Sequence, residues 1–327
     1  MGTGSERFSS LTHYLLADIG GTNARFALYD GDVLGAIDVL AVADYPSADD
    51  AIKAFIDRNR SAGPIAAAAI GVAGPVENGR CTFTNSDWVV DAGELRAAFG
   101  FRHVDVINDF EATAQALPHL QPADLTGVGG GTARPGPCVV LGPGTGLGVA
   151  CLVPGDPPIA IATEGGHATA SATHERQDAV IQCLRGRFAH VSVERVLSGD
   201  GLVNLHDAIA AVDGTSVPVR SPAQITEAAL SGTCAVCREA LDMFCAMLGA
   251  AAGDLALTFG ARGGVYIAGG IVPRIVDHLA RSAFRAQFEA KGRFHDYLAA
   301  IPVHVILRPN PAFVGLAAVA RGRTGHP

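Results

Sequence analysis

The chain has 327 residues, 49% hydrophobic and only 17% charged, a composition that indicates a compact globular protein and excludes a disordered one. At this length, a large core and two domains are expected. The formal net charge of −8, without a long basic stretch, argues against nucleic acid as a partner.

In chain order, residues 1–13 form a polar lead that we expect to be flexible. Strands are predicted at 14–19, 25–30, 33–41, 66–72, 104–107, 138–142, 147–153, 159–162, 265–269 and 303–307. Helices are predicted at 47–61, 91–99, 109–117, 175–188, 193–196, 199–211, 222–231, 234–260, 273–282, 284–290 and 312–322. Strands mixed with helices in this way predict an α/β fold.

Two segments repeat one pattern of apolar run, glycine-rich turn and apolar run. They are LADIGGTNARFALYD (16–30) and VVLGPGTGLGVACLV (139–153). Each is followed by a short apolar strand ending in glycine, AIGVAGPV (69–76) and VYIAGGIV (265–272) respectively. The repeat of these parts predicts a duplicated architecture with two lobes facing a cleft.

The first hairpin places Asp18 beside a turn of small residues, Gly20 to Asn23. A glycine turn lets backbone N–H groups approach an anion closely, because no Cβ stands in the way. Asp18 would repel a phosphate unless Mg²⁺ lay between them. The alternative is a simple β-turn in which Asp18 caps the backbone. With the second glycine turn at 142–148, phosphate binding is favoured.

The segment VDVINDFEA (104–112) ends a predicted strand with Asn108 and Asp109. Aspartate is a common N-cap residue, and a cap alone would explain Asp109. Phosphoryl transfer to an alcohol also needs a carboxylate that accepts the hydroxyl proton. Asp109 at a strand end is well placed for that role, but from this segment alone the cap interpretation is favoured.

Polar side chains suited to a polyhydroxylated ligand occur in ATEGGHATA (162–170) and VSVERVLSG (191–199). Glu164 and His167 lie on one tight bend, and Glu194 is a further acceptor for hydroxyl groups. For His167 the alternative is zinc, shared with His174, but no known ligand spacing supports it. For Glu194 the alternative, which is favoured on this segment alone, is a solvated helix residue paired with Arg195 or another arginine.

The segment FTNSDWVVD contains the only tryptophan of the chain, Trp88, close to Asn85. An aromatic ring and an amide together could line one face of a sugar. Trp88 could equally be an anchor of the hydrophobic core.

Several other classes of protein are disfavoured. Neither of the two lysines, Lys53 and Lys291, lies in a Walker A loop, and the longest uncharged run, 135–155, is broken by Gly and Pro. Seven scattered cysteines and a start without a signal-peptide pattern indicate a cytoplasmic protein that is not membrane-bound. Cys234 and Cys237 have no second ligand pair for zinc, so we interpret them as small core residues.

Seven motifs occur in order: DIGGTN (18–23), TNSDW (84–88), INDF (107–110), GPGTGLG (142–148), EGGH (164–167), ERVLSG (194–199) and GGVYIAGGIVPR (263–274). This set resembles the bacterial glucokinase family, within the actin/Hsp70/sugar-kinase ATPase superfamily. The resemblance runs from about residue 14 to the end. It implies a two-lobed actin-like (ribonuclease H-like) α/β fold with a cleft between a small domain, 14–118 plus 311–327, and a large domain, 119–310.

The resemblance also implies ATP-dependent phosphorylation of D-glucose at its 6-hydroxyl, with Mg²⁺, by a cytoplasmic homodimer. Asp109 would be the general base, and Asp18 would hold the metal through water. The residues implied to bind the sugar are Asn85, Asn108, Asp109, Glu164, His167 and Glu194. The residues implied to bind the nucleotide are Ala17, Asp18, Ile19, Gly20, Gly21, Thr22, Asn23, Gly144, Thr145, Gly146, Gly269 and Gly270.

Alternatives remain at this point. The chain could phosphorylate another hexose, use polyphosphate as the donor, or sense a sugar without turnover. A sensor of this class would carry a helix-turn-helix ahead of the first strand, and only about a dozen residues precede Tyr14. The chain lacks the C-x-C-G-x-x-G-C zinc motif of the related kinase/repressor family. It has Thr163 before Glu164 where the glucokinases often have glycine.

Overall fold

A computed structural model of the protein describes residues 13–83 and 86–324. Residues 1–12 of the expected flexible lead lie outside the described residues, and His13 already begins the first strand. The described chain forms two compact units. The first comprises the residues up to His119 together with those from Asn310 onward, and the second is Leu120–Pro309.

The elements follow in chain order. The strands are β1 His13–Ile19, β2 Asn23–Tyr29, β3 Asp38–Ala41, β4 Ile65–Val72, β5 Arg80–Thr82, β6 Val89–Asp91, β7 His103–Asn108, β8 Leu125–Gly127, β9 Cys138–Pro143, β10 Leu147–Val153, β11 Ile159–Thr163, β12 Gly264–Ile267 and β13 Val303–Ile306. The helices are α1 Ala48–Arg58, α2 Ala92–Phe99, α3 Asp109–Ala116, α4 Glu175–Arg185, α5 Gly199–Val212, α6 Pro222–Leu230, α7 Ala235–Phe259, α8 Val276–Arg281, α9 Phe284–Glu289, α10 His295–Ala299 and α11 Ala312–Thr324. The α/β class predicted from the sequence is confirmed.

The main sheets of the two units repeat one strand order. In the first unit the order is β3-β2-β1-β4-β7, and in the second it is β11-β10-β9-β12-β13, with β8 added antiparallel beside β13. In the first sheet, β1 pairs antiparallel with β2 and parallel with β4. In the second sheet, β9 pairs in the same way, antiparallel with β10 and parallel with β12. The duplication predicted from the two hairpin motifs is therefore confirmed.

Strand β1 is covered on both of its faces. Leu15, Ala17 and Ile19 pack in one cluster with residues of α1, whereas Leu16 packs in another with residues of α11. Successive side chains of a strand point to opposite faces, so an apolar run such as LLADI supplies both clusters.

The long helix α7 is the central helix of the second unit. Among the described residues it is the one helix long and apolar enough to cross a membrane, and 72% of its most apolar window is buried inside the protein. It packs against α5, α6 and α9. Its apolar character is therefore accounted for by its place in the core of this unit.

Some predicted elements are wrong or incomplete. Residues 193–196 form a turn and not a helix. Of the predicted strand 33–41 only β3 forms a ladder, and Leu34 makes an isolated bridge to Tyr29. The sequence patterns also miss β5, β6, β8 and α10, because segments of three to five residues are too short to establish a period.

Candidate active site

In the first unit, the carboxyl ends of three parallel strands lie side by side. Ile19 of β1 is paired with Val72 of β4, and Val72 is paired with Asn108 of β7. The glycine turn after β1 and the start of α3 after β7 therefore lie at the same edge of the sheet. The structure thus brings the first hairpin motif and the Asn108–Asp109 motif together, as α/β sheets commonly do at their ligand sites.

The turn after β1 is held by backbone hydrogen bonds. The N–H of Gly20 donates to the carbonyl of Asn23 at 3.0 Å, and the carbonyl of Thr22 accepts from the N–H of Val42 at 2.9 Å. Ala17 and Ile19 are fully buried, so their side chains belong to the core. Any ligand contact by these two residues would have to be made by the backbone.

Asp18 forms an ion pair that the sequence reasoning missed. Its Oδ2 lies 3.5 Å from Nη1 of Arg25, the residue paired with it across the β1–β2 hairpin. The Asp18 side chain is only 18% exposed. Burial raises the pKa of this carboxyl, and the nearby Arg25 charge opposes the rise. The signal was available, because a hairpin closed by residues 20–22 places residue 25 opposite residue 18.

The surroundings of Asp18 fit a magnesium ion that arrives with a nucleotide. Within residues 13–83 and 86–324 there is no group of three or more His, Cys, Asp or Glu side chains that could hold a metal. Mg²⁺ at phosphate sites keeps several waters and binds one or two carboxylates plus the phosphates themselves. The Asp18 carboxylate is largely buried and lies beside a glycine turn. It suits this mode of binding, in which the protein supplies few of the magnesium ligands.

Asp18→Asn is expected to leave the protein at least as stable as wild type at neutral pH. The pKa of Asp18 is raised by folding, so its contribution to stability is present below the unfolded pKa of about 3.9 and is lost as the pH rises through the folded pKa. Urea unfolding at pH 7 and at pH 4 would measure the difference, which should shrink at the lower pH.

Asp30, at the end of the same hairpin, is a control for which the pKa shift and the expected change in stability have the opposite sign. Its carboxylate accepts the backbone N–H groups of Val33 and Asp32, and these bonds lower its pKa. Asp30→Asn should therefore lower stability at neutral pH, with a loss that persists down to the unfolded pKa of about 3.9 and fades only as the pH falls below it. An Asp18→Asn protein less stable than wild type at pH 7 would show that the Arg25 pair outweighs the cost of burial.

Asn108, and not Asp109, caps helix α3. The Asn108 Oδ1 accepts from the N–H groups of Phe110 at 2.9 Å and Glu111 at 3.2 Å. Its Nδ2 donates to the carbonyl of Gly74 at 3.2 Å, and the residue is buried. One N–H of the amide thus holds the loop after β4, a contact that the sequence reasoning did not foresee.

Asp109 is the first residue of α3 and is half-buried. Its Oδ1 accepts from the N–H of Phe110 at 2.9 Å. Because Asn108 fills the capping position, the cap interpretation does not account for Asp109. A carboxylate held at a helix start, at the edge of the sheet that carries the glycine turn, is of the chemical type that general base chemistry requires.

In the second unit, a glycine turn follows β9 in the same way. The N–H of Gly144 donates to the carbonyl of Gly146, and the N–H of Gly199 at the start of α5 donates to the carbonyl of Gly144. Gly269, after β12, has a φ of +87° and lies so close to Pro143 that a Cβ would collide with the Pro143 carbonyl. Only glycine suits that position. The structure thus brings the 144–146 turn and the 269–270 glycines together.

Glu194 is tied to this turn. Its Oε2 accepts from the N–H of Leu147 at 2.8 Å. The alternative interpretation, a solvated helix residue paired with Arg195, is wrong, because the segment is a turn and the Arg195 guanidinium lies over the ring of Phe188, 4.5 Å from its centre. The carboxylate therefore faces the glycine turn.

Gly146→Ala is expected to break the Glu194 contact. A Cβ on Gly146 would stand 2.5 Å from the Glu194 Oε2, so the carboxylate would have to move off the Leu147 N–H. Loss of a hydrogen bond to a charged group costs about 1.5–3 kcal/mol of unfolding free energy. Gly144→Ala is the matched control, since its Cβ would meet nothing within 4 Å.

Denaturant unfolding of the single and double variants would check this result. If the contact is the cause, Gly146→Ala combined with Glu194→Ala should be no less stable than Glu194→Ala alone. Equal stability losses for Gly144→Ala and Gly146→Ala would contradict the explanation, because they would indicate a general intolerance of side chains in the turn.

Glu164 is the N-cap and His167 is the last residue of a short 3-10 helix, Gly165–His167, that follows β11. Both side chains are more than half exposed, and their Oε2 and Nε2 atoms are 3.8 Å apart. The N–H of Glu194 donates to the carbonyl of Gly166 at 2.9 Å, so the structure brings this bend and the Glu194 turn together. No metal-binding group includes His167 or His174 in the described part of the chain.

The remaining sugar-site candidates give a mixed result. Asn85 lies outside the described residues. Trp88 is only 3% exposed, and its Nε1 donates to the carbonyl of Tyr45 at 3.2 Å. Trp88 is therefore a core anchor and not a sugar platform.

Comparison with known proteins matches nearly the whole chain. A family model described as Glucokinase matches residues 15–323. The glucokinase of Paramagnetospirillum magneticum (strain ATCC 700264 / AMB-1) is 49% identical over 308 residues, covering 93% of this chain and 96% of that protein.

Two solved structures extend the comparison. The crystal structure of a glucokinase from an Antarctic psychrotroph has a TM-score of 0.83 and 37% identity, covering 95% of this chain and 99% of that one. The crystal structure of a ROK family glucokinase from Streptomyces griseus, in complex with glucose and AMPPNP, has a TM-score of 0.65, covering 95% and 99%. Its identity is 23%, so that likeness is one of fold.

The two α/β units have the same strand order, and a glycine turn follows β1 in one unit and β9 in the other. Together with the structural comparison, this architecture places the chain among the sugar kinases of the two-domain actin-like ATPase fold. More specifically, the chain belongs to the glucokinase family. The resemblance carried by the seven motifs is thereby confirmed.

Proposed function

We propose that the protein transfers the terminal phosphoryl group of ATP to the 6-hydroxyl of D-glucose, giving glucose 6-phosphate in the first step of glycolysis. The observation that carries the proposal is the arrangement at the edge of the first sheet where the carboxyl ends of β1, β4 and β7 lie side by side. There, the glycine turn follows β1 and the Asp109 carboxylate follows β7, two strands that lie parallel on either side of β4, in a chain of the glucokinase family. Phosphoryl transfer needs these two parts, a base for the hydroxyl and close backbone donors for the phosphates.

In the first unit, Asp109 is the proposed general base, which accepts the proton of the sugar hydroxyl as it attacks. Asn108 is fixed by its cap bonds and its bond to Gly74, and its second amide N–H is the proposed donor to a sugar hydroxyl. Asn85 is proposed as a further sugar ligand on the basis of its motif. Gly20, Gly21, Thr22 and Asn23, with the backbone of Ala17 and Ile19, are the proposed phosphate contacts.

In the second unit, the proposed sugar ligands are Glu164, His167 and Glu194. Two exposed side chains and a turn-bound carboxylate offer acceptors and a donor, as ligand hydroxyls require. The proposed nucleotide contacts are Gly144, Thr145, Gly146, Gly269 and Gly270. Open space above Gly144 and Gly270, where a Cβ would meet nothing within 4 Å, supports this assignment.

ATP with Mg²⁺ is the proposed donor. The Streptomyces griseus glucokinase, of the same fold, was crystallised with glucose and AMPPNP. Asp18 is the proposed magnesium residue, through water. When bound, the ion would neutralise phosphate charge, while the backbone N–H groups of the turn would orient the phosphates.

The experiment is a donor and acceptor panel. ADP release would be followed with Mg-ATP and glucose, mannose, fructose or N-acetylglucosamine, and sugar phosphate would be followed with polyphosphate as donor. We expect a strong preference for glucose and ATP, and loss of turnover when a chelator removes Mg²⁺. Turnover of another hexose in preference to glucose, or with polyphosphate alone, would overturn the assignment of substrates.

Gly144→Ala tests the donor half separately. The substitution fits the fold, so unfolding should be unchanged, whereas a methyl group facing the phosphates should raise the KM for ATP and leave the KM for glucose near wild type. An unchanged KM for ATP would contradict the placement of phosphate at this turn.

We also propose that the enzyme works in the cytoplasm as a homodimer, without nucleic acid or membrane as partner. Each unit is proposed to fold as a domain, with boundaries near residues 119 and 310. Analytical ultracentrifugation would test the dimer. A monomer at the concentration of the activity assay would overturn that part.

A further inference from the structure

The start of α7 carries two thiols that the proposed reaction does not use. Cys234 is the N-cap residue of this 25-residue helix, and its Sγ accepts from the backbone N–H of Cys237 at 3.4 Å. One turn of helix therefore holds both sulfur atoms together, in the Cys-x-x-Cys spacing of dithiol redox sites.

The two cysteines differ in exposure as an attacking thiol and a resolving thiol should. Cys234 is half-buried and can be reached from solvent, whereas Cys237 is fully buried beneath it. The hydrogen bond from Cys237, the backbone N–H at the helix start and the Arg220 charge all lower the pKa of Cys234. Burial raises the pKa of Cys237 to about 11, so this thiol keeps its proton until it is used.

Arg220 supplies an independent observation. Its Nε is buried and has no hydrogen-bond partner in the part of the chain that the structure describes. The other charged groups of the first helical turns are engaged elsewhere, Arg238 with His278 and Glu239 with Arg176. A thiolate on Cys234 would give the Arg220 charge a counterion, which the neutral thiol does not.

Zinc does not explain the pair. Across residues 13–83 and 86–324, no third His, Cys, Asp or Glu joins the two sulfurs in a metal-binding group. The interpretation of both cysteines as small core residues describes the burial of Cys237 alone, because Cys234 is partly accessible and caps the helix through its sulfur.

We propose that Cys234 and Cys237 form a reversible redox-active dithiol, with Cys234 attacking and Cys237 resolving. The oxidant class is a small disulfide such as oxidised glutathione. The Cys234 thiolate attacks one sulfur and releases one glutathione thiolate, which takes up a proton. Cys237 then loses its proton to solvent and attacks the Cys234 sulfur, releasing the second glutathione. The two protein thiols become one disulfide, and one glutathione disulfide becomes two glutathiones.

The test is chemical and independent of sugar phosphorylation. Folded, reduced protein is alkylated with limiting iodoacetamide at several pH values, and the modified cysteines are mapped by mass spectrometry. Cys234 should react several-fold faster than Cys183, a half-buried cysteine of α4, at neutral pH and below. Arg220→Gln should slow Cys234 alone, and Arg185→Gln, a change of the same kind on the surface of α4, should not.

Oxidised glutathione then distinguishes the two roles. Wild type should end with a Cys234–Cys237 disulfide, Cys237→Ala with a mixed glutathione disulfide at Cys234, and Cys234→Ser with neither. Cys183→Ser should behave as wild type. A Cys234 that reacts no faster than Cys183, or a wild-type protein that stops at the mixed disulfide, would overturn the proposal. Wild-type mapping alone decides the matter if the Cys237→Ala protein does not fold.

Discussion

Asp109→Asn is expected to lower kcat for glucose phosphorylation by about 10²–10⁴-fold, the usual contribution of a general base. Asparagine keeps the shape of the side chain but cannot accept the hydroxyl proton. Because Asn108 provides the helix cap, the change should leave the unfolding transition near that of wild type. Steady-state kinetics would measure kcat, and calorimetric titration would show that glucose still binds.

Glu111→Gln is the matched control. Glu111 lies in the same first turn of α3 and is half-buried, and burial raises the pKa of its carboxyl. Removal of this carboxylate should leave kcat close to wild type, since Glu111 has no assigned role. If both variants lost activity equally, the cause would be damage to the helix start and not loss of a base. An Asp109→Asn enzyme with near-normal kcat would contradict the assignment outright.

Gly315→Ala is expected to destabilise the first unit, although alanine favours helices. α11 and α3 are in backbone contact at this point, and a Cβ on Gly315 would collide with the Ala112 carbonyl. The helices would have to separate, and overpacking of this kind costs about 1–3 kcal/mol. Because α3 begins at Asp109, the same shift should also lower kcat.

Gly322→Ala in the same helix is the control. A Cβ there would meet nothing within 4 Å, so only the helix propensity changes, which favours alanine by up to about 1 kcal/mol in a helix interior. Thermal and urea unfolding would compare the two variants. Opposite signs are expected, with Gly315→Ala below wild type and Gly322→Ala at or above it. A Gly315→Ala protein as stable as wild type would show that α11 does not pack as described.

The sequence predicted those parts of the fold that depend on local pattern. Apolar runs around glycine turns were sufficient to find both hairpins, and their repetition anticipated the common strand order of the two sheets. The helix predicted at 193–196 is wrong because the conformation of this segment depends on a distant partner, the Leu147 N–H, which donates to the Glu194 carboxylate. No local periodicity reports such a contact.

For the candidate site, the sequence indicated which residues to consider but not which contacts they make. Asp18 and Asp109 could be named as candidates because a carboxylate after an apolar run is conspicuous. The cap role belongs to Asn108, since the helix starts one residue earlier than an aspartate cap at position 109 would require. Arg25 was overlooked because its position became meaningful only with the hairpin register, and Trp88 proved to be core because Tyr45, 43 residues away, accepts its N–H.

The most direct measurement is the identity of the product. Glucose labelled with ¹³C at C6 would be incubated with Mg-ATP and the protein, and the mixture would be followed by ¹³C and ³¹P NMR. The account predicts phosphorus coupled to the labelled carbon and one ADP for each sugar phosphate. Phosphate on another hydroxyl, ADP without sugar phosphate, or glucose bound without any product would contradict it.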